Sequence, residues 1–225
     1  MNIDFHAHIL PSADHGCDSG VMALQQLTMA KSAGVNLVVA APHFYPHKDT
    51  MDAFLKRRDA AKDRLREVTA RRELPKVLVG AETFLCDGLE HLENIRELCI
   101  EGTNVILLEM PFSQWTSSNL YTVGQLQEAC GLQVVLAHVD RYPPQEVSEL
   151  LRLGVRFQLN ASGILGFFSR KRYADMLRSS QCVALGSDIH GTDVGYKDYL
   201  RAKELYAPYW GNVMARSEKL LTASD

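Results

Sequence analysis

The cysteines of this chain show no sign of pairing. There are five, at 17, 86, 99, 130 and 182, an odd number, widely spread and without a C-x-x-C spacing. That excludes a disulfide framework and fits reduced thiols in the cytoplasm. A Cys followed six residues later by Arg, the phosphate cradle of cysteine-dependent phosphatases, is also missing. Those positions hold Ala23, Leu92, Val105, Leu136 and Asp188. Long apolar runs are absent, as is a charged-then-apolar leader, so no membrane insertion is expected. Charge of one sign is lacking too: Lys+Arg 24 against Asp+Glu 27 gives −3, with no bulk positive field for nucleic acid or anionic membrane. No repeat, low-complexity tract or linker interrupts the chain. What remains is an ordinary globular composition, 46% hydrophobic and 23% charged, over 225 residues read as a single domain spanning 1–225.

Histidine is the abundant exception, with five of the eight in the first 47 residues. Its placement follows from the elements. Short apolar, β-branched runs at 3–9, 36–43, 76–82, 104–109, 132–138, 155–160 and 182–188 read as strands, the second losing regular pairing at Pro42. Between and after them, 21–33, 50–73, 88–99, 121–130, 145–153, 169–179 and 198–206 read as helices, several closed by glycine. Strand–helix alternation with strands apolar on both faces predicts an α/β fold, a closed or nearly closed parallel barrel. The charged stretch from Lys56 to Arg72 reads as a solvated helix face.

A strand has a side-chain period of two, so Asp4, His6 and His8 share one face of the first run. Two imidazoles so placed can converge on one metal ion, and are equally compatible with a hydrogen-bonded polar strand face. The ends of the later runs tip the balance: they deliver His43, Glu82, Glu109, His138, Asn160 and then Asp188 with His190. In a parallel barrel those ends meet at one rim, where barrel enzymes place their chemistry. Asp14 and His15 add candidates on the loop after the first strand. The surplus of ligands, with carboxylates able to bridge, points to two or three divalent ions. Imidazole and carboxylate without thiolate suits Mn²⁺, Fe²⁺ or Zn²⁺ better than Ca²⁺. His47 and His91 read as ordinary surface histidines.

The ordered set Asp4-Phe5-His6-Ala7-His8, Asp14-His15-Gly16, Pro42-His43, Gly80-Ala81-Glu82, Leu107-Leu108-Glu109, His138-Val139-Asp140-Arg141-Tyr142 and Ser187-Asp188-Ile189-His190 resembles the PHP (polymerase and histidinol phosphatase) superfamily. Within it the chain resembles the bacterial metal-dependent tyrosine phosphatases of capsule and exopolysaccharide synthesis. The resemblance implies a distorted seven-stranded β/α barrel, TIM-like, holding three metals, manganese first among them. It implies one ion on His6, His8, Glu82 and Asp188, a second on Glu82, Glu109 and His138, and a third on His15, His43 and His190. Arg141 would hold a phosphate oxygen. The implied substrate is a phosphotyrosine protein, the tyrosine-rich tail of a membrane-associated kinase in polysaccharide synthesis.

Two departures from that pattern stand out. Asp14-His15-Gly16 replaces the usual Asp-Asp-Gly, leaving open whether Asp14 or His15 is the loop ligand. No arginine follows in residues 191–197, where Lys197 or the Arg170-Lys171-Arg172 cluster is a candidate replacement. Phe44, Tyr45, Phe112, Trp115, Phe167 and Phe168 fall in rim loops, where they either flank an aromatic substrate or pack the loops. A PHP phosphatase for small phosphoesters, a non-catalytic phosphopeptide-binding module and an amidohydrolase barrel are the competing readings. The last lacks its bridging lysine here, since Glu82 and Glu109 stand at the strand ends.

Overall fold

Every apolar run read from the sequence forms parallel strand, and two neighbouring runs break side by side. The computed structural model describes residues 1–192 and 196–222; Asp193, Val194 and Gly195, within the stretch that lacks an arginine, lie outside the described residues. The strands are β1 (Ile3–Ala7), β2 (Leu37–Ala40), β3 (His43–Phe44), β4 (Lys76–Val79), β5 (Glu82–Phe84), β6 (Val105–Glu109), β7 (Gln133–Leu136), β8 (Arg156–Asn160) and β9 (Cys182–Gly186). The helices are α1 (Gly20–Ser32), α2 (Met51–Thr69), α3 (Ser117–Glu128), α4 (Pro144–Arg152), α5 (Arg170–Arg178), α6 (Lys197–Leu205) and α7 (Ala207–Thr222).

One sheet has the order β1-β2-β4 and the other β3-β5-β6-β7-β8-β9. The single continuous seven-stranded barrel that was expected is therefore seen as two parallel sheets of three and six strands. The cause lies in the second and third runs. Pro42 has no N–H to offer a ladder, so the second run divides into β2 and β3, and the third divides beside it at Gly80-Ala81 into β4 and β5. Gly80 N still donates to Ala40 O at 2.9 Å and Glu82 N to Pro42 O at 3.0 Å, carrying the pairing across the breaks. At the opposite edge, the chain leaving β9 returns to β1: Asp188 N donates to His6 O at 2.8 Å and His8 N to Ile189 O at 3.1 Å.

The strands are buried on both faces, with Ile3, Phe5, Ile106, Leu107, Val135, Leu159 and Leu185 fully enclosed. Helices cover the outside. Ser19 caps α1 by accepting from Met22 N, and Thr50 caps α2 by accepting from Ala53 N. The helix expected over 88–99 is instead two short 3₁₀ turns, Leu89–His91 and Ile95–Leu98. Gly88 and Asn94 take positive φ of 79° and 58°, which breaks the α-helical repeat at both points. The C-terminal α7, not foreseen, lays Trp210, Val213, Met214 and Leu220 on the core. Its Trp210 indole donates to Asn2 Oδ1 at 3.2 Å, and its Ser217 hydroxyl to Val183 O at 2.7 Å.

Candidate metal centre

Parallel strands all point their carboxyl ends the same way, and here the ionisable residues gather at that end. Asp4, His6 and His8 are all buried along β1 and its exit. His6 Nε2 and His8 Nε2 face each other at 3.1 Å, and each lies 3.3 Å from Glu82 Oε2. Asp188 Oδ1 completes this corner, 3.3 Å from His8 Nε2 and 3.7 Å from His6 Nε2. Nitrogens bound to one ion at about 2.1 Å and at right angles would sit about 3.0 Å apart. The observed 3.1 Å separation matches that spacing.

Glu82 is the hub. Its Oε1 is 2.8 Å from His138 Nε2, and its Oε2 is 2.7 Å from His43 Nδ1. Glu109 Oε1 lies 3.7 Å from His138 Nε2. Three overlapping sets of ligand atoms lie within 4.8 Å of one another: His6-His8-Asp188, His43-Glu82-Glu109 and His8-His43-His190. His15 joins by its ring, stacked on His43 at 5.0 Å and 8° and lying 4.8 Å from His190. The structure thus brings together His6, His8, His15, His43, Glu82, Glu109, His138, Asp188 and His190. The trio His15, His43 and His190 lies together, with His8 also beside His190, ring centres 4.1 Å apart, and His43 Nδ1 2.7 Å from Glu82.

The donor chemistry fits cations. Glu82 Oε2, Glu109 Oε2 and His43 Nδ1 are buried and have no hydrogen-bond partner, although His43 and Glu82 are close; the geometry is not that of a hydrogen bond. An unsatisfied buried carboxylate oxygen is costly, by about 1–3 kcal/mol or more, unless a cation takes the lone pair. Burial pushes the Glu82 carboxyl up, but His6, His138 and His43 outweigh it and hold it well below the usual carboxylate range. Asp188 is likewise held low, burial being overcome by His6, His8 and Arg141. Glu109 goes the other way: burial and the neighbouring Glu82 charge push it up to about 7. Burial and the charge of His8 bring His190 down to about 4, leaving a neutral imidazole.

Around these residues stands a second layer of contacts, mostly invisible in the sequence. Asp14 accepts from His8 Nδ1 at 2.7 Å and from the backbone N–H groups of His43 and Gly16. At the loop, Asp14 grips His8 from behind, while His15 presents its ring to His43 and His190. Gln158, fully buried, lies with Oε1 3.4 Å from His6 Nδ1, accepts from His138 N at 2.7 Å, and donates to Asn160. Asn160 in turn donates to Asp188 Oδ2 at 2.9 Å. Asp4 accepts from Ser187 N, Ser187 Oγ and Tyr196 OH, fixing the turn that carries Asp188. The period-two pattern of β8 puts Gln158 on the Asn160 face, which was the one signal that could have marked it. His138 and Asp188 both adopt positive φ, 34° and 51°. Each costs roughly 1–2 kcal/mol, strain of the kind held at working sites.

Arg141 is half-exposed at the rim and reaches Asp188 Oδ2 at 2.5 Å. Phe112 stacks on His138, planes 10° apart and centres 6.1 Å apart, and is largely exposed. Tyr45 stacks on His43 at 5.2 Å and meets Phe84 at 5.8 Å. Phe44 and Trp115 are buried, packing their loops. Phe167 and Phe168 touch each other, and the Arg170 guanidinium lies over Phe167, while that of Arg172 lies over Tyr173. His47 and His91 are exposed, as expected. Burial pushes the Cys17 thiol up to about 11 and that of Cys182 to about 12, which rules out either as a thiolate nucleophile near neutrality.

Parallel α/β sheets with a histidine–carboxylate cluster at the strand ends define a class of metal-dependent hydrolase folds, and solved structures of that class are similar to this one. Residues 2–202 match the family described as capsular polysaccharide synthesis, CpsB/CapC. The chain belongs to that family. A structure reported for YwqE from Bacillus subtilis and CpsB from Streptococcus pneumoniae, described as unique metal-dependent tyrosine phosphatases, superposes with a TM-score of 0.77 at 23% identity, covering 97% of this chain and 94% of the other. Histidinol phosphate phosphatase from Lactococcus lactis, solved with zinc, L-histidinol and phosphate, gives 0.59 at 14% identity, covering 92% and 93%. The phosphotriesterase homology protein from Escherichia coli, with phosphate in its active site, gives 0.57 at 15% identity over 98% of both chains. No curated protein sequence matches the chain.

Proposed function

We propose that this protein is a cytoplasmic, single-domain, metal-dependent phosphatase that removes phosphate from tyrosine in a protein of polysaccharide synthesis. The observation that carries the reading is the convergence on Glu82 of His6, His8, His43 and His138, all within 3.3 Å of its two oxygens. Membership of the capsular-synthesis family and the fold shared with metal-dependent tyrosine phosphatases support it. The two sheets act as one distorted seven-stranded barrel, its pairing carried past the breaks at Pro42 and Gly80 by backbone hydrogen bonds.

The residues that would hold divalent ions, three of them and manganese by preference, are His6, His8, His15, His43, Glu82, Glu109, His138, Asp188 and His190. When bound, such ions acidify water into a nucleophile at neutral pH and neutralise phosphoryl charge. The chain does the rest. Asp14 fixes the His8 tautomer with Nε2 turned inward, and Gln158 ties His6 to the backbone at His138. Arg141, the exposed cation beside Asp188, binds a phosphoryl oxygen and steadies the charge gained as the ester bond breaks. Phe112 and Tyr45 form aromatic walls on two sides, suited to a phenyl leaving group. The phosphorylated tail of a membrane-associated kinase is the substrate this arrangement suits.

Protein purified with Mn²⁺ should release phosphate from a tyrosine-phosphorylated peptide, lose that activity to a chelator, and keep it after thiol alkylation. A faster rate on histidinol phosphate or a nucleotide ester than on the peptide would move the assignment to a small-molecule phosphatase. Tight peptide binding without turnover, in metal-replete protein, would move it to a binding module.

A further inference from the structure

The chain carries a net charge of −3, yet one convex corner of the metal rim is both apolar and cationic. The loop that leaves Asn160 ends in a 3₁₀ turn, Phe167–Ser169, and runs directly into α5. Phe167 is 70% exposed and Phe168 101% exposed, an adjacent aromatic pair held edge to face at 5.6 Å. Arg170, Lys171 and Arg172 follow at once, all exposed. Between Gly166 and Arg178 the chain has four cationic side chains and the single carboxylate Asp175, which is engaged by Arg178. The neighbouring α6 carries Arg201, paired with Asp198 at 3.2 Å, and an open cleft of about 370 Å³ between them is lined by Leu165, Arg170, Arg201, Glu204 and Leu205.

We infer that this corner docks the protein onto an anionic bilayer surface, with Phe167 and Phe168 entering the headgroup region and Arg170, Lys171 and Arg172 pairing with lipid phosphates. Two observations choose lipid over peptide. An aromatic ring as exposed as Phe168 stands on a convex tip, with no pocket of this chain around it, which suits entry into a fluid interface. The charge that follows it is a compact cationic block, the complement of an anionic leaflet, and a cation beside an interfacial aromatic is the usual pairing at such surfaces. Neither the chain's bulk charge nor any of its helices would bring it to a membrane; among the described residues none is long and apolar enough to cross one. The corner therefore works as a peripheral contact. The inference stands apart from the catalytic reading, since its readout is lipid binding.

The test is sedimentation of the whole protein with vesicles of phosphatidylcholine alone and of phosphatidylcholine with 30% phosphatidylglycerol. Binding to the anionic vesicles only, at least tenfold weaker at 0.5 M salt, is expected. Phe167→Ser with Phe168→Ser, and separately Arg170→Gln with Lys171→Gln and Arg172→Gln, should each cut binding at least tenfold while circular dichroism and melting temperature stay as in the parent. Equal binding to both vesicles, no binding to either, or unchanged binding by the folded variants would overturn it. So would loss of self-association in the Phe variant, measured by light scattering without lipid, if the parent ignores vesicles; that result would assign the corner to a second copy of the chain.

Discussion

Asp14 holds His8 from the side away from the candidate ions: its Oδ2 lies 2.7 Å from His8 Nδ1, while His8 Nε2 faces His6, Glu82 and Asp188. A carboxylate behind a ligating imidazole fixes its tautomer and raises its basicity, and losing one lowers metal affinity or activity by about 10–100-fold. Asp14→Ala should show that loss by titration calorimetry with Mn²⁺, and Asp14→Asn, which keeps an acceptor but not the charge, should fall between. Wild-type affinity in Asp14→Ala would remove this residue from the site.

Arg141 differs from the ligands in being half-exposed and cationic. Arg141→Ala should keep its metal content by elemental analysis yet lose about 100-fold in kcat/KM toward a phosphotyrosine peptide, the scale of losing one transition-state donor. Arg141→Lys should recover part of it, since a point charge replaces a planar fork.

The acidity of the site sets a pH dependence. Glu109 has its carboxyl pushed up to about 7 by burial and by Glu82, so in metal-free protein it carries a proton below that pH. A cation must displace that proton, so this group makes affinity fall about tenfold per pH unit below 7 and stops contributing above it. Glu109→Gln should bind more weakly throughout, with a log-affinity slope against pH between 5 and 7 shallower by about one. An unchanged slope would mean Glu109 binds no ion.

Close packing under the ligands gives a stability contrast. A Cβ on Gly186 would lie 2.6 Å from His6 Cβ and 2.7 Å from Gln158 Nε2, whereas one on Gly124, within α3, meets nothing inside 4 Å. Gly186→Ala should cost about 1–3 kcal/mol by denaturant melts and reduce bound metal. Gly124→Ala should instead add roughly 0.5–1 kcal/mol through helix propensity.

Bound ions should stabilise the fold by mass action. At a free Mn²⁺ concentration 100 times the dissociation constant, about 2.7 kcal/mol is gained per site. A chelator should lower the melting temperature of the parent, and by less that of His138→Ala, which loses one site of the cluster and keeps the rest.

The candidate ligands were readable because strand geometry is local. A period of two puts His6 and His8 on one face, and parallel strands carry His43, Glu82, Glu109, His138 and Asp188 to the same end. The breaks after Ala40 and Val79 were only half readable: Pro42 announces the first, while nothing in Gly80-Ala81 announces that the neighbouring run will divide beside it. Asp14 and Gln158 act through contacts with residues far along the chain, as Gln158 does with His6, and short-range pattern cannot reveal a partner 152 residues away. The approach of His43 to Glu82 has the same origin, because the pairing of β3 with β5 sets it. The 88–99 segment failed as a helix for a local reason, the two left-handed residues Gly88 and Asn94.

α7 gives a helix more than 200 residues along the chain a hold on β1. Met214 Sδ accepts from Ile3 N, Trp210 donates to Asn2, and Tyr199 of α6 donates to Ile3 O, so the strand carrying His6 and His8 is seated by residues near the other terminus. During synthesis from the N-terminus, the first imidazoles emerge long before Asp188, His190 and the helices that pin them. Until α7 has packed against β1, His6 and His8 would lack their seating, and ions would be captured at full strength only after that packing. The rim then depends on a helix that supplies none of its candidate ligands, and a protein truncated before α7 should be poor at retaining metal even with all of those residues present.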